Sequence, residues 1–387
     1  MQALDSCGLY IHIPFCKRRC SYCSFVSYPF ESSAVGQYIE AVIRELTLWS
    51  ITRGEPEFSI STVKFDSIYF GGGTPSLLEV SQIERLLDAC FSGLLIAPSP
   101  EITIEVNPDS CTFEWLRAIF DLGVNRVSLG VQSFNDAELR ALGRSHDTFS
   151  VLRTYADMRA AGFKNASIDL MAGFPGHTVS SFEDSLRASS KLSPEHISVY
   201  LFELKEGSAI NRRIMDREET PLDDDLSAEL YEVCCDYLTA EGYRQYEISN
   251  FSKEGFDCRH NLKYWTDTDY LALGAGAHGL LGEWRYENFC LLNDYLGRIS
   301  RGELALKRMI RMSPFDRFRD ALIMGARLVR GVDLESLAER YQVDAPGFVN
   351  ASVADLKDQG LFELKDGIFR FTPKGRLLSN QVFSRWV

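Results

Sequence analysis

The sequence has no run of about 18 uncharged apolar residues, and its start, MQALDSCGLYIHIPFC, has no cationic stretch leading into a long apolar one. A membrane-spanning helix and a secretory leader are therefore not expected, and a soluble cytoplasmic protein is. Positive charge is also scarce. Lys and Arg number 41 against 54 Asp and Glu, a formal net charge of -13, so the surface as a whole repels phosphate backbones and anionic headgroups. Internal repeats and low-complexity segments are missing too, which argues against solenoids and disordered tails. Cysteine is not scarce. Ten cysteines without an export signal point away from a disulfide scaffold and towards catalytic or metal-binding thiols.

The 387 residues suit a large domain plus a smaller one, and 45% hydrophobic with 25% charged residues is enough apolar mass for a substantial core. Six segments rich in β-branched and aromatic residues read as strands: GLYIHI from Gly8, FDSIYF from Phe65, EITIEV from Glu101, NRVSLGV from Asn125, ASIDLM from Ala166 and HISVYLF from His196. Stretches of 3.6-residue periodicity lie between them, at Val35 to Trp49, Val80 to Leu94, Thr148 to Ala161 and Val179 to Leu192. This alternation predicts an α/β fold, an incomplete (β/α)6 barrel that is open on one side. An acidic stretch, Asp216 to Asp225 around Pro221, reads as a solvated loop leading into a helix with an apolar face at Leu226, Leu230, Cys234 and Leu238. The block Tyr246 to Gly282 reads as neither plain helix nor plain strand. Helical patterns at Phe315 to Val329, Leu334 to Tyr341 and Val349 to Gln359, then a hairpin through Leu361 to Phe371, predict a mainly helical, winged-helix-like C-terminal domain. The expected units are 1–245, 246–303 and 304–387. Arg301 to Arg330 carries a net charge of +5, read as a structural cap rather than a nucleic-acid contact.

Unusual residues cluster at the strand ends, where a parallel barrel gathers its active site. Cys16, Cys20 and Cys23 follow the first strand at CxxxCxxC spacing, with Phe15 and Tyr22 interleaved. Three thiolates can hold three irons of a cubane and leave the fourth free of protein thiolate. A structural zinc site normally needs a fourth ligand and paired CxxC units, which are missing. Gly71-Gly72-Gly73-Thr74-Pro75 ends the second strand and serves equally as a tight turn or as a cradle letting a ligand approach backbone amides. Glu105, Gln132, Arg144 and Asp169 add polar groups to the same rim, either for a ligand such as a ribose or for structural hydrogen bonds.

The motifs LYIHIPFCKRRCSYCSF, FGGGTPSLL, EVNP, RVSLGVQSF, LGRSH and IDLMAGFPG, followed by YEISNF, HNLKYW and LGAGAH, run in this order along nearly the whole chain. The sequence closely resembles the radical S-adenosylmethionine (SAM) proteins related to oxygen-independent coproporphyrinogen III oxidase. The resemblance implies a [4Fe-4S] cluster on Cys16, Cys20 and Cys23. It also implies SAM contacts from Tyr10, Gly72, Gly73, Thr74, Glu105, Gln132, Arg144 and Asp169, with Tyr22 beside the cluster. The coproporphyrinogen oxidases carry a fourth cysteine and a long N-terminal extension, whereas here Ser24-Phe25 follows Cys23 and 15 residues precede Cys16. Arg259 to Trp265 matches the HNxxYW signature of the heme chaperone (HemW) branch. That match implies heme as ligand, contacted by His260; by their own chemistry His278 in GAGAH is a second candidate for the iron and the Cys258 thiolate a third. The implied partners are heme or porphyrin, heme-acceptor proteins such as respiratory-chain components, and an electron donor. Membranes would be met only through the acceptors, and nucleic acid is not expected. The rival readings are a coproporphyrinogen III dehydrogenase and an RNA-modifying radical SAM protein.

Overall fold

In the computed structural model, which describes residues 6–51, 60–220 and 223–387, the six expected strands lie side by side in chain order. They are β1 (Cys7–Ile13), β2 (Lys64–Gly72), β3 (Leu95–Val106), β4 (Arg126–Gln132), β5 (Ala166–Ala172) and β6 (His196–Leu201), each parallel to the next. The start of the leader reading (residues 1–5) and Pro221 of the acidic stretch lie outside the described residues.

Strand alternation decides what each face carries. Leu9, Ile11, Ile68, Phe70, Ile102, Ile104, Val127, Leu129, Ile168, Leu170, Ile197 and Val199 belong to the main hydrophobic core. The alternate residues are polar and bond across strands: Ser128 to Asp169, Ser167 to His196, Tyr69 to Glu105. The incomplete barrel therefore has a polar inner face, unlike the branched apolar filling usual in closed barrels.

The connecting helices are α1 (Ser32–Ile51), α2 (Val80–Gly93), α3 (Phe113–Asp121), α4 (Asp136–Ala141), α5 (Thr148–Ala161) and α6 (Val179–Leu192). Helix α5 starts after the Asp147 cap, whose carboxylate accepts the Ser150 N–H, and ends at Gly162 in the left-handed region. Beyond β6 come α7 (Ala209–Met215) and α8 (Asp224–Ala240), the latter capped by Asp223 and burying Leu230, Cys234 and Leu238.

The block Tyr246 to Gly282 turns out to be regular. It contains β8 (Asn250–Ser252), which follows β7 (Arg244–Gln245), then α9 (Arg259–Trp265), β9 (Tyr270–Leu273) and β10 (His278–Leu281). The chain continues through β11 (Trp284–Asn288), α10 (Leu292–Ser300) and β12 (Leu306–Arg311). Strand β8 pairs antiparallel with β6, β9 pairs parallel with β1, and β10 to β12 add an antiparallel meander, so a 12-stranded sheet runs through both edges. These strands are two to six residues long, too short for alternation to be legible.

The C-terminal part holds α11 (Pro314–Gly325), β13 (Val332–Asp333), α12 (Leu334–Tyr341), α13 (Ala345–Ser352), β14 (Phe362–Lys365) and β15 (Ile368–Phe371). Its own core gathers Phe318, Leu322, Leu334, Val349, Phe369 and Trp386. The third helix begins earlier than its apolar pattern suggests, because the Asp344 carboxylate caps it at the Gly347 N–H and Pro346 sits in its first turn. The charges of the basic segment are mostly spent internally: Arg301 on Glu303, Lys307 on Glu287, Arg317 on Asp267.

Candidate functional site on the barrel rim

The cysteine loop leaves β1 and is pinned at both ends. Phe15–Cys16 pairs with Tyr28–Pro29, and the Ser21 N–H donates to the Leu142 carbonyl at 3.0 Å. Cys16, Cys20 and Cys23 are free and half-buried, and burial pushes the Cys16 and Cys23 thiols above their ordinary pKa. Tyr22 packs its ring on a small apolar cluster, edge-on to Phe202, and keeps its hydroxyl beside Cys20 and Arg144.

A hydrogen-bonded bracket joins two of the cysteines. Thr74 Oγ1 donates to Cys16 Sγ at 3.6 Å, and Asn107 Nδ2 donates to Thr74 Oγ1 at 3.1 Å. Arg144 Nη2 then donates to Asn107 Oδ1 at 2.7 Å, while its Nη1 donates to Cys20 Sγ at 3.4 Å. Cys20, Thr74, Asn107 and Arg144 line one pocket with Lys17 and Asp109. Asn107 was visible in the sequence only as part of EVNP, and no local signal marks it as the link between Thr74 and Arg144. Among the described residues no three His, Cys, Asp or Glu side chains converge on a single ion. A cubane takes one thiolate per iron, so three separated thiolates fit its donor set and do not fit a mononuclear metal.

The glycine run lies against this loop. A Cβ on Gly73 would stand 2.7 Å from the Phe15 carbonyl oxygen, so only glycine lets the backbones meet. Gly72 has φ +116° and donates its N–H to Glu105 Oε2 at 3.1 Å. Glu105 Oε1 accepts from the Tyr69 hydroxyl at 3.0 Å, and burial, reinforced by Asp169, raises the Glu105 pKa to about 7. Asp169 accepts from Ser128 and Ser167 and is likewise raised by burial. Tyr10 places its hydroxyl 2.9 Å from His12 Nδ1. Gln132 adopts φ +69° at an irregularity in the β4–β5 pairing, a strained backbone of the kind found at ligand sites.

Residues 10–188 match the radical SAM superfamily and residues 312–378 the HemN C-terminal domain. The chain is 33% identical over 382 residues to the heme chaperone HemW of Bacillus subtilis, covering 98% of each. It is 32% identical over 379 residues to the heme chaperone HemW of Lactococcus lactis, covering 98% of this chain and 96% of that one. The chain belongs to the HemW family. Its fold also matches the radical SAM enzyme coproporphyrinogen III oxidase (HemN) of Escherichia coli, with a TM-score of 0.86 and 25% identity over 99% of this chain and 90% of that one.

In this HemW-family chain the three residues expected to meet heme iron are placed very differently. His260 on α9 is 1% exposed and both ring nitrogens are engaged, Nδ1 with Ser67 Oγ at 2.9 Å and Nε2 with the Tyr264 hydroxyl at 3.0 Å. Neither nitrogen is open to iron in this arrangement. Cys258 is buried beside Glu101, and burial pushes its thiol up to about 12, which disfavours a thiolate. His278 begins β10 on the rim and its side chain is 67% exposed. The Gly276 turn before it packs against Val26 of the cysteine loop.

Proposed function

We propose that this chain is a heme-binding chaperone on a radical SAM core, which accepts heme and passes it to acceptor proteins. The observation that carries this reading is the full-length likeness to proteins named heme chaperones. Phe25, at the position two residues after Cys23 where the oxidases carry a fourth cysteine, weighs against the coproporphyrinogen dehydrogenase reading. Cys16, Cys20 and Cys23 would hold a [4Fe-4S] cluster, and the Gly72-Gly73-Thr74 backbone with Glu105 would hold SAM. When bound, the cluster and SAM supply one-electron chemistry, and the protein positions them.

The chain's own residues do the positioning. The Thr74–Asn107–Arg144 bracket orients two cysteines and keeps a guanidinium beside Cys20. Glu105 presents a carboxylate for ribose hydroxyls, and Tyr10, Gln132 and Asp169 complete the polar wall. For heme, His278 is the accessible imidazole next to the cluster loop. An electron donor, work in the cytoplasm and the three-unit division at 245 and 303 belong to the same proposal. Among the described residues no helix is long and apolar enough to cross a membrane.

The test uses protein reconstituted anaerobically with iron and sulfide. One arm titrates heme, and the other supplies SAM, a reductant and coproporphyrinogen III. Heme binding without protoporphyrinogen formation is expected, and turnover to protoporphyrinogen would instead make the chain a dehydrogenase. Replacing Cys16, Cys20 and Cys23 with Ala removes bound iron and sulfide. His278→Ala weakens heme binding about tenfold, the loss of a metal-ligand bond partly offset by porphyrin packing, and leaves iron content intact.

A further inference from the structure

Helix α9 lies against the starts of β1 and β2, on the face that carries Tyr10 and Tyr69. Gly8 permits the approach, since a Cβ there would lie 2.8 Å from Lys263 Cδ and 3.1 Å from the His260 ring. Seven residues are too few for a helix to persist alone, so outside anchors hold it. Glu101 accepts the N–H groups of Arg259 and His260 at 3.1 and 3.0 Å and so caps the N-terminus from β3. Lys263 pairs with Asp66 at 2.7 Å, and Asp267, just past the C-terminus, pairs with Arg317 at 2.9 Å.

Held in this frame, the His260 ring stacks on Tyr69, with centroids 5.1 Å apart and planes 29° apart. Burial lowers the His260 pKa to about 3, so the ring stays neutral and serves as a fixed surface. The Tyr69 hydroxyl in turn donates to Glu105 Oε1, leaving Oε2 to the Gly72 N–H.

We infer that His260 is a positioning residue, whose ring, locked by Ser67 and Tyr264, sets Tyr69 so that its hydroxyl holds Glu105 against the glycine run. The consequence for SAM affinity rests on the proposed SAM site; the positioning itself rests on the contacts above. Glu105 faces Tyr10 on β1, Tyr69 on β2, Arg126 on β4, Asp169 on β5, Tyr200 on β6 and Tyr264 on α9. Of these, Tyr69 donates to the carboxylate and lowers its pKa, so loss of that bond moves the titration of Glu105 upward from about 7.

The measurement is the infrared carboxyl band of Glu105 between pH 5 and 9, assigned by subtraction of the Glu105→Gln spectrum from that of the full chain. Tyr69→Phe and His260→Ala should each raise the midpoint, and His260→Ala should add nothing in the Tyr69→Phe background. SAM affinity at neutral pH should fall about tenfold in each single variant, the worth of one hydrogen bond to a charged group. Heme absorption should keep its wild-type axial signature in His260→Ala. An unmoved midpoint in His260→Ala, an additive double variant, or loss of the heme axial signature would each overturn the inference. If His260→Ala does not fold, Ser67→Ala releases one end of the ring and is read in the same way. A wild-type chain that binds no SAM, yet shows the expected midpoints, would remove the proposed SAM site and leave the positioning role standing.

Discussion

Asp267 joins the barrel to the C-terminal core, and its replacement has a calculable cost. The residue is 7% exposed, pairs with the 5% exposed Arg317 at 2.9 Å, and accepts from the Tyr341 hydroxyl. Its second ion pair, to Arg340 at 3.2 Å, involves a half-exposed guanidinium and adds little. The cost therefore lies in stranding Arg317. Removing one partner of a buried pair costs about 3–5 kcal/mol, because the remaining charge stays out of water. Asp267 has φ +51°, a backbone that Ala resists and Asn tolerates, so Asp267→Asn isolates the charge from strain. Asp269 also feels Arg317, which favours the lower end of the range, about 3 kcal/mol. The two cores need not unfold together, so native-state hydrogen exchange is a better assay than one melting midpoint. Amides of α11 and α12 should exchange roughly 100-fold faster in Asp267→Asn, the equilibrium equivalent of that energy. Adding Arg317→Met should recover most of the protection. Exchange within threefold of wild type would refute the argument that this pair docks the C-terminal core.

Glu45 on α1 is fully buried and accepts from the Gly274 N–H, Asn288 Nδ2 and the Tyr295 hydroxyl, at 2.7–2.8 Å; burial raises its pKa from 4.5 to about 7. A raised folded pKa means the folded chain holds the proton more tightly, so this contribution is full below pH 4.5 and is lost as pH rises through 7. Urea unfolding should show roughly 3 kcal/mol of pH-dependent stability across that window, and Glu45→Gln should flatten it. Gly73→Ala should displace the cysteine loop, because the new methyl meets rigid backbone at Phe15, and bound iron after reconstitution should fall by more than half. Asn107→Ala cuts the link between Thr74 and Arg144, and iron loss to a chelator should quicken about tenfold, as for other supports of metal ligands.

The parallel core was legible because each of its elements writes its period within a short window. Thr148–Ala161 and Val179–Leu192 emerged with their expected bounds, and all six strands lay where β-branched residues cluster. The sheet edges were not legible. Strand β9 joins β1 across most of the chain, and nothing local in Tyr270–Leu273 specifies that neighbour. The same distinction separates the two expected heme histidines. HNLKYW identifies the family and its own Tyr264 meets one ring nitrogen, but the other nitrogen is closed by Ser67 and the ring is stacked by Tyr69, which lie nearly two hundred residues away.

The sequence by itself determined the α/β core, the three-thiolate donor set and the glycine run beside it, since those are properties of composition and spacing along the chain. Only the tertiary structure decided which polar groups meet. Asn107 bridges Thr74 to Arg144, Glu101 caps a helix from another strand, His260 is sealed and His278 exposed. A hydrogen bond between distant residues exists only once the sheet has closed and excluded water, and that closure is a property of the whole chain.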